Sequence, residues 1–135
     1  MAGWYLLDAN IVSYIIKGKF PAVDRHLSKT PTARVSISSV TEAELRYGLA
    51  RLPDAFRLQN LVEEFLLTVT ILPWDSEAAK YYGLLRTELE RGGRLMANLD
   101  MMIGAQALAA KATLMTNDRA FSRIKNLKVV DWTKA

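Results

Sequence analysis

The stretch Trp4-Tyr5-Leu6-Leu7-Asp8-Ala9-Asn10 carries four apolar residues straight into an aspartate, with an asparagine two positions on. A short unbroken apolar run reads as a buried strand, and Asp8 marks where the strand ends. Ile11, Val12, Tyr14, Ile15 and Ile16, closed by Gly18, predict a short helix with a glycine stop. A carboxylate at the carboxyl end of a buried strand, just ahead of a helix, stands where open α/β sheets bind their ligands. A plain strand-end or helix-capping role is the competing reading, because Asp is common at helix starts.

Working outward, the same arrangement recurs. Pro21 suits the first turn of a second short helix that ends near Pro31. Residues 34–38 alternate like a strand. Ser39-Val40-Thr41-Glu42 matches a capping box and predicts a helix starting at Ser39 and stopping near Pro53. Asp54 is placed to cap the next helix, whose expected apolar face is Phe56, Leu58, Leu61, Val62, Phe65 and Leu66. Residues 69–72 read as a strand, and Asp75-Ser76 open a long helix that Gly92-Gly93 closes. A loop over 93–98 leads to a helix over about 99–111. A strand over 113–116, a short helix capped by Asn117-Asp118, a strand over 127–130 and a tail over 131–135 complete the chain. Strands alternating with helices predict an α/β fold with a parallel sheet and helices on both faces.

At 135 residues the chain fits a single domain, 1–135, large enough to bury a sizeable core. No run is long enough to span a membrane, and no charged-then-apolar leader is present. The absence of cysteine removes disulfides, thiolate nucleophiles and cysteine-ligated zinc, and fits a reducing compartment such as the cytoplasm. A net charge of +4 hints at a polyanionic partner. The single histidine, His26, rules out RNA cleavage by a histidine pair; its setting after Pro21 predicts a surface helix rather than a catalytic base.

Four acids fall in equivalent places. Asp8 ends the first strand, Glu44 lies in the first turns of the helix after the second, Asp100 opens the helix over 99–111, and Asp118 follows the strand ending at Thr116. Right-handed crossovers bring these positions to one edge of a parallel sheet. Two carboxylates about 5 Å apart repel by roughly 3 kcal/mol at an effective dielectric of 20, so such a pocket calls for a cation. With oxygen ligands alone, Mg²⁺ or Mn²⁺ is favoured over zinc. Glu42 and Glu44 stand about 200° apart around a helix and cannot share one site; the capping box accounts for Glu42 and leaves Glu44 for the pocket. Asn10 is beside Asp8, and Thr116 can hold a phosphate or a water. Arg46, Arg94 and Arg119 are candidate RNA-contacting residues.

The runs Leu7-Asp8-Ala9-Asn10-Ile11, Ser39-Val40-Thr41-Glu42-Ala43-Glu44-Leu45-Arg46-Tyr47-Gly48, Asn98-Leu99-Asp100-Met101-Met102-Ile103-Gly104-Ala105 and Leu114-Met115-Thr116-Asn117-Asp118-Arg119-Ala120-Phe121, with the closing Asp131-Trp132, together resemble PIN-domain ribonucleases of the VapC kind, the toxins of toxin–antitoxin pairs. The resemblance runs the length of the chain in order. It departs from the family's Asp-Thr-Asn at Ala9, which lacks the threonine hydroxyl. It implies a three-layer α/β/α PIN-like fold with a mostly parallel four- to five-stranded sheet. It also implies Mg²⁺-dependent hydrolysis of RNA, often tRNA, by a metal-activated water. Asp8, Glu44, Asp100 and Asp118 match the family's acidic quartet. Asp8 and Asp100 would be the most direct metal ligands, with Asp118 and Glu44 acting through water or a second metal, and Asn10 and Thr116 in support. A homodimer and a small VapB-type antitoxin that blocks the pocket are further implications.

Two other function classes stay open on the residues alone. A phosphatase of the haloacid-dehalogenase kind needs a second Asp two positions after the first, where this chain has Asn10. A non-catalytic partner-binding module would use the apolar stretches 11–16 and 65–69 as surfaces rather than core.

Overall fold

The computed structural model describes residues 3–134; Met1, Ala2 and Ala135 lie outside it. Five strands, β1 (Tyr5–Leu7), β2 (Val35–Ser38), β3 (Thr70–Leu72), β4 (Thr113–Met115) and β5 (Val129–Val130), form one sheet. Its order is β3-β2-β1-β4-β5 and every neighbouring pair is parallel. Six helices accompany them: α1 (Ala9–Lys17), α2 (Pro21–Ser28), α3 (Ser39–Ala50), α4 (Phe56–Thr68), α5 (Ser76–Arg91) and α6 (Asn98–Ala110).

The chain winds outward from β1 through β2 to β3, then crosses back to lay β4 and β5 on the other side of β1. The order therefore reverses between β1 and β4, and their carboxyl ends flank a crevice of the kind that binds ligands in open α/β sheets. Alternation along β1 sends Leu6 to one face and Leu7 to the other. Leu6 and Leu114 pack with α5 and α6 residues such as Leu89, Met101 and Ile103. Leu7 and Met115 pack with Ile11, Val23, Val62 and Leu66 from α1, α2 and α4. The result is three layers, as the alternating pattern predicts.

α1 ends as its sequence requires. Gly18 adopts φ 63°, its N–H bonds Ile15 O, and Lys19 N–H bonds Tyr14 O. α6 is apolar around most of its circumference and is buried accordingly. It is fastened to the β3–α5 connection by Trp74 Nε1 donating to Met102 O and Gln106 Nε2 donating to Pro73 O.

Three local expectations are corrected. The N-cap of α3 is Ser38, whose Oγ accepts from Val40 N; Ser39 Oγ instead accepts from Trp74 N, tying α3 to the β3–α5 connection. No capping box forms, and Glu42 pairs with Arg46 one turn on. Asp54 does not cap α4, whose N-cap is Ala55 without a side-chain bond; at that end Phe56 is exposed, while Val62 and Leu66 are buried. The stretch 131–135 is no free tail, as far as its described residues go. Trp132 is 4% exposed and packs in the core beside Tyr5. A tryptophan two residues after a strand carries no periodicity that sequence patterning can read.

Candidate active site

Asp8 stands at the carboxyl end of the central strand and is only 3% exposed. The ladder sets its place: Leu7 pairs with Met115, and Asp8 N–H donates to Met115 O at 3.0 Å. Asp8 has both jobs that its position allows. Oδ1 accepts from Ala9 N at 2.8 Å and so caps α1, while Oδ2 accepts from Thr116 Oγ1 at 2.7 Å. Thr116, itself buried at the end of β4, accepts from Asp118 N at 3.0 Å. One hydroxyl thus couples Asp8 to the backbone of Asp118 across the crevice. The Thr116 proton is committed to Asp8, so it does not serve as a phosphate or water donor: a hydroxyl has a single hydrogen to give.

The other acids converge on the same place. Burial raises the Glu44 carboxyl above the ordinary carboxylate range, and the charges of Asp8 and Asp100 raise it further. Asp100, at the third position of α6, is raised by burial and then by Asp8 and Asp118. Asp8 is raised chiefly by burial; the bonds from Thr116 and Ala9 oppose that, and Asp118 adds to it. Each of these three feels the charge of at least one other member of the quartet. Asp118 also caps the 3₁₀ helix Arg119–Arg123 through Ala120 N.

Among the described residues, no three acidic or histidine side chains stand close enough to form a ready-made ligand cage. The donor set nonetheless fits a hard divalent ion. Every candidate donor is an oxygen, and Glu44 Oε1 is buried with no hydrogen-bond partner among the described residues, an acceptor left for a cation.

The supporting residues divide. Asn10 is exposed on the first turn of α1 and makes no hydrogen bond to Asp8. Arg46 is clasped by Glu42 at 2.9 Å and Glu63 at 2.8 Å, linking α3 to α4 and pointing its charge away from Glu44's side of the helix. Arg94 donates to Arg123 O, and Arg123 donates to Leu95 O, which straps the 93–98 loop to the 3₁₀ helix. Arg119 alone of the three arginines is exposed without an ion pair among the described residues. Sequence reasoning passed over Thr41, a fully buried hydroxyl one turn before Glu44 with no hydrogen-bond partner among the described residues. Its spacing from Glu44, about 60° around the helix, was the available signal.

A parallel α/β sheet whose switch-point crevice gathers carboxylates is the architecture of a hydrolase that works with a divalent metal. Comparison with known proteins agrees: residues 5–127 match the family model described as PIN domain. The chain is 37% identical to Ribonuclease VapC2 of Rickettsia felis, over 96% of this chain and 98% of the relative. It is 35% identical to the tRNA(fMet)-specific endonuclease VapC of Shigella flexneri, over 96% of this chain and 98% of the relative. A crystal structure of DNA-bound VapBC from Salmonella typhimurium superimposes with a TM-score of 0.90 at 32% identity, covering 96% of this chain and 98% of that one. The chain belongs to the PIN-domain family, as a VapC-type member of it. PIN-domain ribonucleases are in general divalent-metal dependent. Neither the phosphatase nor the non-catalytic reading has a counterpart in these matches.

Proposed function

We propose that this protein is the toxin of a toxin–antitoxin pair, an endoribonuclease that hydrolyses RNA, tRNA among its substrates, at the Asp8–Glu44–Asp100–Asp118 rim with Mg²⁺ or Mn²⁺. The observation that carries this reading is the buried Asp8 at the β1–β4 switch point, coupled by charge to the other three acids. When bound, a hard divalent cation lowers the pKa of water and neutralises charge on the phosphodiester. Asp8 and Asp100 would hold it directly, with Asp118 and Glu44 assisting. Thr116 keeps Asp8 oriented and lowers its proton affinity, so that it stays available as a ligand. Hydrolysis of this kind leaves a 5′-phosphate and a 3′-hydroxyl. Sequencing the cut ends of RNA digested by purified protein with Mg²⁺ tests it, and 2′,3′-cyclic phosphate ends would overturn it.

The partner is a VapB-type antitoxin, with the toxin itself dimeric. A groove of about 200 Å³ starts at Glu44 and runs between Ile16, Leu45, Leu49, Leu58 and Val62, with Lys17 and Arg51 at its edge. It suits an apolar antitoxin segment that ends over the acids. No helix among the described residues is long and apolar enough to cross a membrane. The RNA substrate of the proposed activity is what puts the protein in the cytoplasm on this reading.

The raised carboxyls have a measurable consequence. Where Asp8, Glu44 and Asp100 titrate, the folded state binds protons more tightly than the unfolded chain. This contribution to stability therefore falls as the pH rises from the ordinary carboxylate range through the raised values. Asp100→Asn removes one of the repelling charges. In EDTA near pH 8 it is expected to be about 1 kcal/mol more stable than wild type, discounted for its partial exposure. The difference closes as the pH falls to about 4. Mg²⁺ is expected to raise the melting temperature of wild type more than that of the variant. Thermal melts across this range check both statements, and equal Mg²⁺ shifts would contradict a shared site.

A further inference from the structure

A second cluster of charge lies apart from the acids. Arg25, His26 and Lys29 sit on one face of α2 and its cap, and Lys134 reaches the same place from the other end of the chain. With Ala22 they line a half-open pocket of about 120 Å³. That is room for a phosphate group. None of the four side chains forms an ion pair or donates a hydrogen bond among the described residues.

Basic residues at a helix C-terminus are often explained by the helix dipole and by bonds to the last carbonyls. Here those carbonyls are already served. Ser28 Oγ donates to Arg25 O, Thr30 Oγ1 donates to His26 O, and Lys29 N–H also reaches His26 O. The dipole does not explain Lys134 either. Its position follows from Trp132, which is buried against Tyr5 and lies parallel to the His26 ring at 5.1 Å with 10° between the planes. Asp131 accepts from Thr133 N and Oγ1 and so holds the turn that carries Lys134. The nearest acid on α2, Asp24, is exposed and does not line the pocket.

We infer that the pocket between α2 and the C-terminal stretch, lined by Arg25, His26, Lys29 and Lys134, binds a backbone phosphate of the RNA substrate away from the bond that is cut. The inference rests on the ribonuclease reading above. A polyanion needs cations that the acid rim does not supply, and Arg46 and Arg94 are already engaged. None of the four acids lines the pocket, so a phosphate held there is other than the one at the acid rim.

The test is binding of a tRNA transcript to protein silenced by Asp8→Asn, with and without Arg25→Gln, Lys29→Gln and Lys134→Gln together. The triple change is expected to weaken binding at least tenfold at physiological salt. It should also flatten the slope of log affinity against log salt by about 1, as the loss of one phosphate contact requires. In the otherwise wild-type enzyme it should raise KM for the same RNA and leave kcat and the melting temperature unchanged, and Arg25→Lys alone should behave as wild type. Unchanged affinity and slope, with wild type still cutting RNA, would overturn the pocket alone. So would loss of binding to anionic phospholipid vesicles with RNA binding intact. If wild type cuts no RNA with Mg²⁺, the ribonuclease reading falls first and the pocket's ligand with it.

Discussion

Asp8→Asn is expected to reduce RNA cleavage by about three orders of magnitude while leaving the protein folded. The loss follows from what the side chain faces. One carboxylate charge at the centre of the site disappears, and with it the strongest attraction for a divalent ion; losses of roughly 10²–10³ are usual when one such electrostatic partner is removed. The fold should tolerate the change. The carboxylate is buried and raised by that burial, so a neutral isostere lightens a desolvation cost. Asn can still accept one of the two bonds that Asp8 receives, from Ala9 N or from Thr116 Oγ1. Cleavage of labelled RNA by the purified variant, beside wild type with Mg²⁺ and wild type with EDTA, makes the measurement. The variant should sit close to the EDTA control. A variant that cuts at a tenth of the wild-type rate or better would remove Asp8 from the metal site.

The second large effect is on stability and comes from the opposite end of the chain. Trp132→Ala is expected to cost about 3 kcal/mol, the low end for truncating a buried tryptophan. For a protein of this size that lowers the melting temperature by about 10 °C. The ring is nearly inaccessible, lies 4.9 Å from Tyr5 and joins the cluster around Leu7 and Met115. The damage should reach the acids, since Thr116 N–H bonds Val130 O two residues before Trp132. Trp132→Phe keeps an aromatic against Tyr5 and should recover most of the loss. Thermal and urea unfolding decide it, and a change under about 1 kcal/mol would mean that the C-terminal stretch adds little to the core.

Much of this protein is legible before any coordinates. Apolar runs ending in Asp or Thr gave β1 and β4, glycine closed α1, and Asp75 caps α5 as expected, accepting from Ala78 N. These are signals within a few residues, where backbone preference and side-chain chemistry act together. The sorting of Glu44 from Glu42 also follows from helix geometry, although the reason first assigned to Glu42 does not hold: it is bound by Arg46, not by a cap. Features that join distant segments were out of reach. Ser38 rather than Ser39 caps α3, and the Ser39 hydroxyl accepts instead from Trp74 N, thirty-five residues away. Arg46 and Arg94 look like free cations in sequence and are spent on Glu63 and on the Arg123 carbonyl.

The sequence by itself determined which residues form strands and helices, and that Asp8 and Asp118 follow strands while Glu44 and Asp100 lie in the first turns of helices, since hydrophobic period and local capping are properties of neighbours in the chain. Tertiary structure alone decided that Thr116 gives its only proton to Asp8, that Glu44 Oε1 is buried without a hydrogen-bond partner among the described residues, and that Trp132 brings Lys134 to α2. Each depends on a hydrogen bond or ring contact whose partners are brought together by the sheet order and by packing, neither of which a local pattern encodes.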